Sequence, residues 1–158
     1  MTDIAYQNAI AHLAKIHATA YKKAEVEGSS ITSWNLEFLR NGEFSTFTNM
    51  KKAAQVVTNT NELIGKNFMK VLVDAAHCGD SDMTITENEE CISEVASRNE
   101  IGIFHASAKT TRGCLSSDDG WIPALLTACA KTGQLNICLL YTSPSPRDAT
   151  LSRMPSSA

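Results

Sequence analysis

Hydrophobic residues recur at helical spacing in several stretches of this chain, and the clearest of them begins at Gly120. Within it Ile122, Leu125 and Cys129 fall on one helical face, and the alanines between them would let a second helix approach closely. Gly133 follows directly, and glycine enters the left-handed conformation that ends a helix without a steric penalty. The pattern predicts a helix, a tight turn and the start of a second helix, which together make half of an αα-hairpin.

A second helical pattern opens the chain. Asp3 is a candidate N-cap, and apolar residues run down one face from Ile4 to about Lys23. This stretch is rich in alanine but lacks the arginines and hydroxyl residues of an organellar transit peptide. It predicts an amphipathic helix, and no targeting segment is visible in it.

Three stretches resemble a known family. The segment ALLTACAKTGQL is similar to the first helix and turn of a pentatricopeptide repeat. Residues 31–35 and 40–44 are similar to the entry and turn of another such repeat, and residues 71–80 are similar to a third helix–turn block. Each unit of that family is about 35 residues long and pairs two antiparallel helices. Gly42 and Gly79, which are predicted to form turns, lie 37 residues apart.

An internal repeat supports this resemblance. Glu90–Ile103 can be laid on Ala124–Ile137 at an offset of 34 residues, with Asn99 at the place of Gly133. Asparagine is the usual substitute for glycine in a left-handed turn. The resemblance implies an all-α fold, an α-solenoid in which antiparallel helix–turn–helix repeats bury their apolar faces against one another.

The function implied by the resemblance is sequence-selective binding of single-stranded RNA in a mitochondrion or plastid, for the processing, stability or editing of transcripts. In that family one base is read per repeat. The positions that would read bases fall on Asn35, Lys70 and Pro123, and Asp118 would be a repeat-terminal residue. We expect RNA binding by this chain to be weak, because its 17 acidic residues outnumber its 14 basic ones.

Two alternatives stay open. The acidic balance favours a helical protein-interaction scaffold that has protein partners and does not bind RNA. The other alternative is a degenerate calcium-binding protein, since Asp80, Asp82 and Glu89 fall at the third, fifth and twelfth positions of an EF-hand loop. Against it, Cys78 stands at the first position, where the loop needs an acid, and Met83 stands where the loop needs glycine.

Other chemistry is sparse in the sequence. The four histidines are scattered, and neither a phosphate-binding glycine loop nor a nucleophile with a placed base is readable. We therefore expect no enzymatic activity and no cofactor. The five cysteines form no CxxC pair, and we interpret them as reduced, packed thiols. The apolar runs are far shorter than a bilayer span, so we expect no membrane partner.

The C-terminal segment, residues 138–158, has a different character. Its blocks CLLYTSPSPRD and SRMPSSA resemble the translation of sequencing-library adapter DNA, and the three residues between them fit a sample barcode. We therefore expect a helical-repeat domain over residues 1–137, cut short near Ile137, and a disordered, non-native tail after it. Without the tail only Pro123 remains of the four prolines, which suits an all-helical chain.

Overall fold

A parallel β-sheet, and not a stack of helical repeats, organises this chain. The computed structural model describes residues 3–108, 118–134 and 136–138. Four strands form one sheet in chain order, and every neighbouring pair is parallel. The strands are β1 (Trp34–Glu37), β2 (Met69–Asp74), β3 (Ile101–His105) and β4 (Asn136–Cys138).

Helices connect and flank these strands. Those in the described ranges are α1 (Asp3–Val26), α2 (Met50–Ile64), α3 (Ala75–Gly79), α4 (Ile85–Ser97) and α5 (Trp121–Lys131). Parallel strands need a crossover between them, and α2 provides it from β1 to β2, α3 and α4 from β2 to β3, and α5 from β3 to β4. Helix α1 packs mainly against α2. This alternation of strands and helices defines an α/β protein.

Local sequence sets where the crossover helices begin and end. Asn49 caps α2 by accepting a hydrogen bond from the N–H of Lys52 at 2.9 Å, and Gly65 ends the helix in the left-handed conformation. Thr84 and Glu87 form a capping box at the start of α4, in which each side chain accepts a hydrogen bond from the backbone of the other. These signals separate each helix from the strand before or after it.

The main core lies between the sheet and the helices that pack on one of its faces. Val71 and Val73 of β2 are fully buried there, because alternate residues of a strand point to the same face. Strand β1 is only half-buried along its length, and its one partner among the described strands is β2. The core also contains Met50, Val57, Ile92, Val95, Phe104 and Leu125.

The prediction of an all-α solenoid is wrong, and the spacing of the strands shows why. The strands begin at residues 34, 69, 101 and 136, so successive starts lie 35, 32 and 35 residues apart. A β/α unit of this size repeats at the same interval as a helical hairpin. The internal repeat between residues 90–103 and 124–137 is real, but its unit is a helix followed by a strand.

The predicted turns have different outcomes. Gly133 is left-handed after α5, with a φ of 70°, as predicted, but a strand follows it and not a second helix. Asn99 is also left-handed, with a φ of 55°, as its place in the internal repeat predicts. Gly42 lies in a turn between a strand and a helix, and Gly79 ends the five-residue helix α3. The turns at Gly42, Asn99 and Gly133 are therefore predictable from the sequence, whereas the turn predicted at Gly79 is wrong and the type of the following element is not predictable.

The predictions for the two ends of the chain have different outcomes. The helix predicted from Ile4 to about Lys23 is confirmed as α1, which extends to Val26. Among the described residues, no helix combines the length and apolar character that crossing a bilayer requires. The adapter-like segment, residues 138–158, lies outside the described residues except for Cys138, which ends β4. Its assignment as a non-native tail stays a prediction.

Candidate metal centre

Three neighbouring strands end in acidic or imidazole side chains. β1 ends at Glu37, β2 ends at Asp74 and β3 ends at His105, while His77 follows in α3. The carboxyl ends of parallel strands lie at one edge of the sheet, so these side chains converge. Donor atoms of Glu37, Asp74 and His77 all lie within 4.8 Å of one another. We refer to these four residues as the candidate metal centre.

Asp74 is held in place by hydrogen bonds from two directions. As the N-cap of α3, its carboxylate accepts a hydrogen bond from the N–H of His77 at 3.0 Å. It also accepts from the hydroxyl of Ser107, which lies 3.1 and 3.3 Å from the two carboxylate oxygens. A buried carboxylate needs such partners, and here they fix its orientation.

His77 is buried next to the end of β1. Its Nδ1 makes a hydrogen bond with the carbonyl oxygen of Phe38. A carbonyl can only accept, so in the neutral ring Nδ1 carries the proton and Nε2 carries the lone pair. Nε2 lies 3.8 Å from Oε1 of Glu37. The end of β1 therefore orients this imidazole and also supplies the carboxylate beside it.

His105 brings a second imidazole to the same place. Its Nδ1 lies 3.5 Å from Oδ2 of Asp74 and 3.9 Å from Oε1 of Glu37. This nitrogen is buried, and no described residue forms a hydrogen bond with it. Buried polar atoms nearly always have a partner, and a cation among these groups would provide one. Mixed carboxylate and imidazole donors suit divalent transition metals such as Mn²⁺ or Zn²⁺, so the residues present fit a divalent metal ion.

The structure places the four residues predicted to read RNA in other roles. Asn35 lies in β1, where its side-chain oxygen accepts a hydrogen bond from the N–H of Ile103 at 3.2 Å. Lys70 lies in β2 and donates to a backbone carbonyl oxygen just before β3. Asp118 accepts hydrogen bonds from two N–H groups at the start of α5, and Pro123 lies in the first turn of that helix. Reading one base per repeat requires stacked helical hairpins, which the described chain does not form.

The EF-hand alternative is also wrong. Asp80 pairs with Arg40 at 3.8 Å, and Asp82 accepts a hydrogen bond from Nδ2 of Asn49 at 2.7 Å. Glu89 lies on α4, which begins inside the predicted loop. Within the described ranges, Asp80, Asp82 and Glu89 do not come together as a metal-sized group.

The residues of the candidate metal centre are not among the sites predicted from the sequence. Asp74 and His77 fall in the predicted helix–turn block at residues 71–80, Glu37 lies between the matched segments 31–35 and 40–44, and His105 is one of the four scattered histidines. One signal was present, since Asp74 directly follows the apolar residues 71–73 and His105 follows the apolar residues 103–104, as at the carboxyl end of a buried parallel strand. Periodicity alone cannot distinguish such a short run from part of a buried helix.

Comparison with known proteins agrees with this fold. No family model and no curated protein matches the chain. Among solved structures, it is similar to a D-psicose 3-epimerase from Clostridium cellulolyticum H10 solved with D-tagatose, with a TM-score of 0.54 and 17% sequence identity. The match covers 88% of this chain and 45% of the epimerase, so the chain spans less than half the length of that enzyme. The likeness shows an α/β fold of the same kind.

The fold overturns the predictions that depended on helical repeats. The resemblance to pentatricopeptide repeats is wrong, and so is the RNA-binding function that followed from it. The expectation that the chain is not an enzyme depended on finding no placed catalytic groups. It is contradicted, because Glu37, Asp74, His77 and His105 converge at one edge of the sheet. The structural neighbour is itself an epimerase, and its likeness to this chain is a likeness of fold. Protein partners and an organellar location stay predictions.

Proposed function

We propose that this chain carries part of the active site of a divalent-cation-dependent epimerase or isomerase that acts on small sugars. The observation that carries the proposal is the convergence of the candidate metal centre, in which the buried Nδ1 of His105 faces the carboxylates of Glu37 and Asp74. Active sites of barrels built from β/α units lie at this edge of the sheet. The fold similarity to a D-psicose 3-epimerase supports the substrate class.

Glu37 and Asp74 would hold the cation together with His105, whose Nδ1 lies 3.9 Å from Oε1 of Glu37 and 3.5 Å from Oδ2 of Asp74. A bound cation supplies a Lewis acid that polarises the carbonyl of a sugar. The hydrogen bonds from Ser107 and from the N–H of His77 keep the Asp74 carboxylate in one orientation. The protein therefore provides a preorganised set of donors.

Epimerisation beside a carbonyl also needs a group that takes a proton from carbon and a group that returns one to the opposite face, and this chain would supply the first of the two. Glu37 is suited to take the proton through the carboxylate oxygen that does not hold the cation, because its side chain is 37% exposed whereas that of Asp74 is only 4% exposed. A sugar entering from solvent can therefore reach the Glu37 carboxylate. His77, with Nε2 at 3.8 Å from Glu37, is placed to form a hydrogen bond with a hydroxyl of the same sugar.

Cation binding is the direct test of this proposal. Isothermal titration of the full chain with Mn²⁺ should show one site, and Asp74→Asn should weaken the affinity at least tenfold. Asp82→Asn is the matched control, because Asp82 is an exposed acid that lies outside the candidate metal centre. No binding by the wild type, or an equal loss in both variants, would overturn the proposal.

Proton exchange tests the chemistry. With Mn²⁺ present in D₂O, the protein should introduce deuterium at the carbon next to the carbonyl of D-psicose, which NMR detects. Glu37→Gln keeps the size of the side chain but cannot accept the proton, so exchange should be lost. Exchange at the wild-type rate in Glu37→Gln would exclude Glu37 as the base.

A further inference from the structure

The pairing of β2 with β3 contains one extra residue on β3. Val71 pairs with Ile101, whereas Val73 pairs with Phe104. Two steps along β2 therefore correspond to three steps along β3. Such an insertion is a β-bulge, and it shifts by one residue the pairing of all later β3 residues with β2.

This bulge decides which side chain of β3 reaches the candidate metal centre. Paired residues on adjacent strands point to the same face, and successive residues point to opposite faces. Val73 and Phe104 are paired and fully buried in the core, while Asp74 and His105 are paired at the centre. Without the extra residue, Phe104 would pair with Asp74, and His105 would point towards the helices.

Asn35 and Gly102 accommodate the bulge. Neither Gly102 nor Ile103 is paired with a residue of β2. The N–H of Ile103 instead donates to the side-chain oxygen of Asn35, which reaches across from β1 at 3.2 Å. Glycine at position 102 leaves room for this amide, since a Cβ there would lie 1.9 Å from Oδ1 of Asn35 and 2.9 Å from Cβ of Lys70.

We infer that Asn35 and Gly102 are positioning residues, which stabilise the β3 bulge and thereby place His105 in the candidate metal centre. The inference rests on the proposed function for the role of His105 as a metal ligand. Its geometric part, that the Asn35 amide stabilises the bulge, can be tested without a metal. Bulges beside active sites commonly re-aim a side chain in this way.

Amide hydrogen exchange of the metal-free protein tests the geometric part. In Asn35→Ala, exchange of the Ile103 amide should rise at least tenfold, because it loses its acceptor. The amide of Val71, which donates to a backbone carbonyl oxygen at 2.8 Å, should keep its rate. Asn35→Asp retains an acceptor oxygen and should keep the Ile103 amide protected. Asn67→Ala, at an exposed asparagine, is the matched control and should change neither rate.

Two results would overturn the geometric part. One is unchanged protection of Ile103 in Asn35→Ala, and the other is an equal loss of protection throughout β2. If Asn35→Ala does not fold, Asn35→Asp decides the question, because loss of Ile103 protection in that variant contradicts the role of the acceptor.

A double-mutant cycle of Mn²⁺ affinity tests whether Asn35 acts through His105. Asn35→Ala should weaken binding about tenfold, as expected for a residue that orients a ligand. His105→Ala should weaken it at least as much, and the double variant should bind no more weakly than His105→Ala alone. A further loss in the double variant would show that Asn35 acts by another route and would overturn the inference.

The two proposals fail in different ways. If the wild type does not bind Mn²⁺, the proposed function fails, and the exchange of the Ile103 amide still decides the role of Asn35. If the wild type and Asn35→Ala bind Mn²⁺ equally, the inference fails and the proposed function stands.

Discussion

The hydroxyl of Ser107 lies within hydrogen-bond distance of both carboxylate oxygens of Asp74, at 3.1 and 3.3 Å. Both residues are buried. Ser107 lies two residues beyond the end of β3, whereas Asp74 ends β2. The contact therefore joins two adjacent strands at the point where the proposed metal ligands meet.

Removing the Ser107 hydroxyl should weaken cation binding. We expect Ser107→Ala to lower the Mn²⁺ affinity about tenfold, because hydrogen bonds that orient a metal ligand typically contribute that much. Isothermal titration measures the change. Ser97→Ala is a matched control, since its hydroxyl bonds to a backbone oxygen at the end of α4. An unchanged affinity in Ser107→Ala would show that the hydroxyl does not orient Asp74.

A methyl group at position 102 should destabilise the fold. Gly102→Ala places a Cβ in the space of the Asn35 amide, and we expect a loss of about 1–3 kcal/mol in the free energy of unfolding, as for overpacked cores. Urea denaturation measures it. Gly42→Ala is the control, because nothing lies within 4 Å of a Cβ there. Combining Gly102→Ala with Asn35→Ala should recover part of the loss, and equal losses at positions 42 and 102 would contradict the prediction.

Glu100 should contribute to stability without affecting the metal centre. Its buried carboxylate accepts hydrogen bonds at 2.9 Å from Thr58, Asn61 and Arg98. Glu100→Ala should lower the free energy of unfolding by about 1–3 kcal/mol, because the buried amide of Asn61 loses a hydrogen-bond partner. Glu94→Ala removes the exposed ion-pair partner of Arg98 and should lower the free energy of unfolding by less than about 1 kcal/mol. Equal urea midpoints for the two variants would contradict this account, and the Mn²⁺ affinity should be unchanged in both.

The buried cysteines should react slowly in the native protein. Cys78, Cys91 and Cys129 are free and buried, which confirms for these three the interpretation as packed thiols. Burial raises the pKa of Cys91 to about 11 and that of Cys129 to about 12, and it raises the pKa of Cys78 well above its ordinary value. The thiolate is the reactive form, so at pH 8 only about one Cys91 thiol in a thousand can react.

Alkylation with iodoacetamide, followed by peptide mass spectrometry, checks this prediction. Labelling of these three thiols should be slow at pH 8 and should accelerate as the pH rises towards about 11, provided that the protein stays folded. In urea the same thiols should react at the rate of ordinary exposed cysteines. Native labelling as fast as labelling in urea would contradict both the burial and the raised pKa values.

The sequence predicts helices α1 and α5 of this fold but not its strands. Helix α1 and helix α5 carry sustained periodic patterns, and Gly133 marks the end of the latter in the expected conformation. Strand β1 has four residues and β4 has three, which is too short for alternation to be visible. The period of about 35 residues was correct, but both a helical hairpin and a β/α unit have that length.

The candidate metal centre could be predicted only in part. Asp74 and His77 lie three residues apart, so the sequence alone places them close together. Glu37 and His105 join them only because β1, β2 and β3 pair in parallel. This pairing joins residues that are far apart in the sequence, so no local spacing motif predicts it. The bulge that turns His105 towards Asp74 depends on a one-residue shift, which becomes visible only when the register is known.

The proposed donors of the candidate metal centre lie on three consecutive strands, and this distribution would couple cation binding to folding. A partly folded chain, in which any one of β1, β2 or β3 is undocked, lacks a complete set of donors. Thermodynamic linkage then requires that a cation at a hundred times its dissociation constant raise the free energy of unfolding by about 2.7 kcal/mol. That gain would require all three strands to be docked, so the bound cation would stabilise the assembled sheet as a unit.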